Sequence, residues 1–342
     1  MAEQEKLYQS FISWQPHTVT VYKSSVENIG KRVDNGLNLK SDRKKAYKGQ
    51  VTKKTRVRYE KLLTAWMNVL KAGNENKGNK KRKIVMITLT LSDKQDYNKI
   101  GSDKMIKKNM LEPMIKWLQY NFDVVNFFWR AEAQANGNIH FHILLDKYIN
   151  KEKLQLHWNK IQEKHGYLET YKRKFKKTNP PSTHVKLYDL TERNIGYILK
   201  YLTKENDRRL IEGLQFRASN ALTHLKIPSQ AIEKNDEIGL INKLHDKSSW
   251  QHYDEFFIVF KFDFAVDEVF GLSDKYKLVG TYYSVCYDIM YNSRLSSIFV
   301  HLLNLYYSNI SKYRMLYNQL ASIGADVLSF AKLLDKYNLV TV

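Results

Sequence analysis

The spacing of apolar residues changes period several times along the chain, and each change marks an element. Between Thr52 and Ala72, Val57, Leu62, Leu63, Trp66, Met67 and Leu70 recur at helical spacing, and Gly73 follows as a stop. The run Ile84 to Leu91 has the β-branched content of a buried strand, with Val85, Ile87, Leu89 and Leu91 on one face and Thr88 and Thr90 on the other. A helix is expected between Ser102 and Tyr120. A strand from Val124 to Gln134 then sets Phe128, Arg130, Glu132 and Gln134 on one face. Asn136-Gly137 is a hairpin turn signal leading into Asn138 to Leu145. Here alternation puts His140 and His142 on one face and Ile139, Phe141 and Ile143 on the other, so Glu132 lies across the turn from the two histidines.

A helix over Leu154 to Lys164 follows, then the breaker Pro180-Pro181 and a short strand over His184 to Leu190. The next helix begins at Thr191, whose hydroxyl can cap it. At 100° per residue, Tyr197, Lys200, Tyr201 and Lys204 share one of its faces, and Ile195, Ile198, Leu199 and Leu202 the opposite one. Residues 1–51 show little period and read as a basic N-terminal extension, and 207–252 as a basic connecting segment. Residues 253–342 are rich in Tyr, Phe and Leu and read as mainly helical from Val279 onward.

Charge divides the chain. Of a formal +21, residues 253–342 contribute 8 Lys and Arg against 9 Asp and Glu, leaving 48 against 26 for residues 1–252. A positive excess of that size favours a polyanion, because each neutralised phosphate releases condensed counterions. Two clusters are placed to meet phosphates: Lys80, Lys81, Arg82 and Lys83, and Lys172, Arg173, Lys174, Lys176 and Lys177, with Arg130 as a further DNA contact. No basic amphipathic helix with a broad apolar face accompanies the charge, so an anionic membrane is the poorer partner. The longest apolar stretches are interrupted, as by His301 and Asn304, and the first residues lack a secretory apolar run. One cysteine, Cys286, permits no internal disulfide. A soluble protein of the cytoplasm, in a bacterial host, is the expectation.

Two imidazoles on one strand with a carboxylate opposite can hold a divalent ion, Mg2+ or Mn2+, that polarises a phosphodiester. A phenol oxygen of Tyr197 or Tyr201 would be the nucleophile, helped by the Lys200 or Lys204 cation, and its product would be a covalent phosphotyrosine that conserves the phosphodiester energy. Each element alone has a plainer account: His-x-His also arises on half-buried strands, and a Tyr/Lys face also suits a surface helix.

Taken in this order, the Thr88-Leu89-Thr90 strand, His140-Phe141-His142 and Tyr197-x-x-Lys200-Tyr201-x-x-Lys204 resemble the HUH endonucleases of the rolling-circle replication initiator (Rep) type. The doubled tyrosine looks most like the two-tyrosine initiators of microvirus-type single-stranded DNA phages and related plasmids. The resemblance covers roughly residues 52–206. It implies an α+β fold with a central antiparallel sheet flanked by helices, followed here by the mainly helical C-terminal region. It also implies nicking of single-stranded DNA at an origin, attachment to the 5′ phosphate, release of a 3′-hydroxyl primer and later rejoining. His140 and His142 would be metal ligands with Glu132 the third, or Gln134 as a substitute. Tyr197 and Tyr201 would be the nucleophiles, and Lys200 and Lys204 the motif lysines. No Gly-x-x-x-x-Gly-Lys-Ser/Thr stretch is present, so unwinding would fall to a host helicase and synthesis to a host polymerase. Residues 253–342 are assigned to assembly or partner contacts. A single-strand transposase keeps the same motif order, and a non-catalytic single-strand binder would use the basic surface with the histidines incidental.

Overall fold

The computed structural model describes residues 8–15, 18–25, 52–75, 82–96, 100–203, 209–263, 278–292, 296–308, 310–337 and 339. In chain order the strands are β1 (Tyr8–Gln15), β2 (Thr18–Ser25), β3 (Ile84–Leu89), β4 (Phe127–Ala133), β5 (Ile139–Leu145), β6 (Thr183–Tyr188), β7 (Phe216–Ala218), β8 (Ser229–Ala231), β9 (Trp250–Tyr253) and β10 (Phe257–Lys261). Two compact units emerge, residues 46–223 and residues 1–45 with 224–342, each built on an antiparallel sheet. The α+β class and the helical C-terminal region are as the sequence led us to expect.

In the unit 46–223 the strand order is β6-β3-β5-β4-β7. Its helices are α1 (Lys53–Glu75), α2, α3 (Lys151–Lys164), α4 (Glu169–Phe175) and α5 (Glu192–Thr203), where α2 runs through Asp103–Ile106, a π-helical turn Lys107–Leu111 and Glu112–Phe122. Strand alternation sorts the sheet into two faces. Ile87, Leu89, Trp129, Phe141 and Ile143 turn to a core completed by Met110, Met114 and Leu118 of α2 and Leu154 and Trp158 of α3. The opposite face is polar around Thr88, Arg130 and His142, which stand side by side on three adjacent strands. At its far end Phe216 stacks on Tyr59 of α1, and Phe128 meets the same ring edge to face.

The β4–β5 hairpin is locked at its tip. Gly137 takes φ +84°, and Gln134 N donates to Asn138 O at 2.8 Å. The Asn138 side chain donates to Asp93 O and accepts from Gln95 N, while Gln95 Oε1 accepts from Ile139 N at 2.9 Å. Arg209 reaches the same turn, donating from Nε to Gly137 O at 2.8 Å while its other nitrogens grip Asp103 at 2.6 and 2.8 Å. Asp103 is fully buried. Burial alone would raise its pKa, but the hydrogen bonds from Arg209 and Gln95 and the Arg209 charge hold it below the usual carboxylate range.

Arg209→Ala is therefore expected to cost about 3 kcal/mol in urea unfolding at pH 7, the low end for breaking a buried pair because Arg209 keeps partial solvent contact. A carboxylate with a depressed folded pKa gives stability that is complete above its unfolded value and lost as pH falls through the folded one. The difference between wild type and variant should therefore shrink below about pH 4.

The second unit holds the order β8-β1-β2-β10-β9. Residues 8–25, which the sequence led us to place in an extension of little period, form a hairpin instead. Ile12, Trp14, Val19 and Val21 alternate inward to pack with Phe260 and with Leu240 and Leu244 of the helix Glu237–Lys247. The stretch 207–252, expected as a connector, supplies β7 to the edge of the first sheet and β8 and β9 to the second. Beyond it run the helices Leu278–Asn292, Ser296–Ser308, Ile310–Ser322 and Val327–Lys336. Asn304, a polar break in an apolar helix, is satisfied by Tyr282 Oη at 2.8 Å and by His224 O. Among the described residues no helix is long and apolar enough to cross a membrane.

Candidate metal centre and tyrosine face

The histidine strand β5 lies between β3 and β4, and each neighbour supplies a partner at the matching register. Glu132 of β4 pairs with His140, Arg130 with His142, and Thr88 of β3 with His142 from the other side. Side chains directly opposite in an antiparallel pair share a face, so all five point the same way.

The ligand atoms of Glu132, His140 and His142 lie within 4.8 Å of one another. His140 Nε2 and His142 Nε2 are 2.8 Å apart, and Glu132 Oε2 is 3.3 Å from the first and 3.5 Å from the second. Two nitrogens bound to one ion at about 2.1 Å in neighbouring positions sit about 3 Å apart. The donor set therefore fits a divalent ion, with both Nε2 lone pairs and one carboxylate oxygen turned on the same point. His140 Nδ1 is buried without a hydrogen-bond partner, so Nε2 is the nitrogen this ring turns on the cluster.

The surroundings hold these groups in ligand form. Thr88 Oγ1 lies 3.1 Å from His142 Nδ1; when that nitrogen donates to it, Nε2 keeps its lone pair. Burial, the largest influence, pushes the His142 imidazole below its ordinary pKa against the hydrogen bond to Glu132 and favours the neutral ring a metal needs. Burial would raise the pKa of Glu132, but the hydrogen bonds to His140 and His142 and the Arg130 charge outweigh it and keep the carboxylate ionised.

Arg130 corrects an expectation. Read from the sequence as a DNA contact, it is 1% exposed, donates from Nη1 to Glu132 Oε1 at 2.9 Å and rests 5.4 Å from the centre of the Phe216 ring. It orients the carboxylate, leaving Oε2 for the histidines. Gln134, the substitute ligand, stands two residues nearer the turn, its backbone N–H donating to Asn138 O. Thr88→Val is expected to weaken Mn2+ binding about 10–100-fold by isothermal titration, as loss of a group that orients a ligand does, with the fold unchanged.

Tyr197 lies over the same face. Its ring sits 5.9 Å from that of Tyr188, and Lys186 Nζ is 4.8 Å from the Tyr188 ring centre and 5.7 Å from that of Tyr197. His184, Lys186 and Tyr188 pair with Thr88, Met86 and Ile84, so they belong to the face of the histidines. The Tyr188 position is four residues along the sheet from the Thr88 row, about 13 Å at strand spacing. Ile198 and Leu202 are buried on the other side of α5, as the helical pattern required, while Tyr197 is 48% exposed and Lys200 is exposed. Tyr201 follows Tyr197 by one turn of α5, its side chain beyond what the structure describes, and Lys204, Lys80 and Lys81 lie outside the described residues.

Of the expected phosphate contacts, Arg82 bonds to Asp146 at 3.2 Å and has both backbone groups held by the Asn74 side chain, which makes it part of the frame. Lys83 pairs with Asp189 at the surface, and Lys172 pairs with Glu163. Arg173, Lys174, Lys176 and Lys177 stand exposed at the end of α4 and just beyond it. Three groups escaped the sequence reading: Thr88 as partner of His142, Arg130 as partner of Glu132, and Lys186 as the cation beside Tyr197. Only the threonine left a trace, as a polar residue on the solvent side of an apolar strand.

Fold and site together define an α+β protein with a histidine–carboxylate cluster able to hold a metal ion. Residues 84–206, from the start of β3 to just past α5, match the family model described as replication-associated protein ORF2. That match supports a protein of the rolling-circle Rep type, with a role in replication initiation at DNA. No curated protein and no solved structure matches the chain.

Proposed function

We propose that this protein is a rolling-circle initiator of the HUH, two-tyrosine kind, which nicks single-stranded DNA at an origin and stays attached to the 5′ end it creates. One observation carries the reading. Within the residues similar to replication-associated proteins, the ligand atoms of His140, His142 and Glu132 converge on the sheet face over which Tyr197 lies.

A phenol oxygen of Tyr197 or Tyr201 attacks phosphorus and gives up its proton to solvent. The P–O3′ bond breaks, and the departing O3′ takes a proton to become the 3′-hydroxyl that primes synthesis. The 5′ phosphate remains on tyrosine until a 3′-hydroxyl attacks it and reverses the step. A divalent ion, Mg2+ or Mn2+, held by His140, His142 and Glu132 would supply polarisation of the scissile phosphate. Thr88 and Arg130 keep the ligands in place. Lys186 and Lys200 offset charge on the transferring phosphate, and Arg173, Lys174, Lys176 and Lys177 hold the strand along its backbone. Host helicase and polymerase supply unwinding and synthesis in the bacterial cytoplasm, and the C-terminal helices serve assembly or partner contacts.

The test is incubation with a pool of random 40-nucleotide single strands, labelled at the 3′ end, in Mn2+ or in EDTA, followed by electrophoresis in SDS. Label that migrates with the protein in Mn2+ and not in EDTA is expected. Label that binds under native conditions yet leaves entirely in SDS, with or without metal, would mean a non-catalytic binder.

A further inference from the structure

The outward face of the second sheet carries a row of rings beside the polar Ser13, Thr18 and Thr20. In an antiparallel sheet with one face on the core, the outward positions are ordinarily polar. Here the core face takes Ile12, Trp14, Val19, Val21 and Phe260, and the outward positions bring up Phe11 of β1, Tyr22 of β2, Phe257 of β10, and Trp250 and His252 of β9.

These rings stand in a row across four adjacent strands. Phe11 and Tyr22 stack at 5.5 Å and 16°, and Tyr22 is the register partner of Phe257. His252 lies 5.9 Å from Phe257 and stacks on Trp250 at 6.0 Å and 10°. Lys261 caps the end, its Nζ 4.5 Å from the Trp250 ring centre. Trp250 is 48% and Phe257 36% exposed. Across four strands the row spans about 14 Å, room for two or three stacked bases. Charge fits the same occupant: the outward positions of the described strands carry Lys261 and no carboxylate, and the acids Asp254 and Glu255 sit in the β9–β10 turn beyond the strands.

We propose that this face is a second binding site, for single-stranded DNA, which it holds by stacking bases on Phe11, Tyr22, Phe257, His252 and Trp250 with a phosphate at Lys261. Stacking on rings is sequence-tolerant and requires unpaired bases, so the face discriminates single strands from duplex. It stands independently of the nicking reaction.

The test uses the full chain in EDTA, so that strand cleavage plays no part, with fluorescein-labelled dT20 and a 20-base-pair duplex followed by anisotropy. The double variant Trp250→Ala/Phe257→Ala is expected to bind dT20 about tenfold or more weakly, with duplex affinity little changed and Trp250→Phe close to wild type. In parallel, dT20 carrying 5-iodouracil is photocrosslinked to wild type and the attached peptides are mapped, with adducts expected in 8–25 and 250–261. Unchanged dT20 affinity in a double variant of native circular dichroism overturns the proposal. So do crosslinks confined to residues 46–223, a readout that decides the matter even if the variant fails to fold. If dT20 is ignored by this face, its rings belong to contacts with another protein.

Discussion

His140→Ala is expected to eliminate metal-dependent attachment to DNA, slowing single-turnover linkage by at least about 1,000-fold, because losing the polarising ion removes several kcal/mol of transition-state stabilisation. The geometry makes this substitution clean. His140 contributes Nε2 to the cluster, while its Nδ1 bonds nothing else. Removing the ring leaves Glu132 held by Arg130 and His142 held by Thr88, so the sheet keeps its internal partners. Thermal unfolding followed by circular dichroism should change little, and Mn2+ binding by titration calorimetry should be lost. A variant that keeps its linkage rate would show that the cluster takes no part in the reaction.

The second large effect concerns the phenols. Tyr197→Phe and Tyr201→Phe made together should abolish covalent attachment below detection, with noncovalent binding of single-stranded DNA retained. Either change alone should leave part of the attachment, as expected where two tyrosines one helical turn apart alternate as nucleophile. Phenylalanine keeps the ring at position 197 against Tyr188 and Lys186 and removes only the oxygen, so a loss reports chemistry rather than packing. The readout is the fraction of 3′-labelled oligonucleotide that migrates with protein in SDS. Undiminished attachment in the double variant would assign the nucleophile elsewhere.

What could be read from the sequence was what local pattern controls. Period-two alternation on both sides of Asn136-Gly137 fixed the register of β4 on β5, and a one-residue slip would have sent Glu132 to the core face. The helical spacing before Asn206 separated Ile198 and Leu202 from Tyr197 in the same way. What escaped depended on pairings between distant segments. Thr88 gains its meaning only when β3 is set beside β5, and Lys186 only when β6 brings it beneath α5. Arg130, a DNA contact on the sequence alone, is buried beside a partner two residues away on its own strand. The second sheet joins 8–25 to 229–261, and neither half shows an apolar face long enough to announce it alone.

Covalent nicking requires the tyrosine helix and the histidine cluster to act on one phosphate. Its most direct test is mass spectrometry of the protein–DNA adduct formed in Mn2+, after nuclease trimming and trypsin. Cleavage after Arg193, Lys200 and Lys204 puts Tyr197 and Tyr201 in separate peptides, 194–200 and 201–204, so the attachment point is read without ambiguity. The expected result is a nucleotide phosphate on one or both of these peptides in wild type and on neither in His140→Ala. DNA cut to a free 5′ phosphate with both peptides unmodified, or an adduct on a tyrosine elsewhere in the chain, would contradict it.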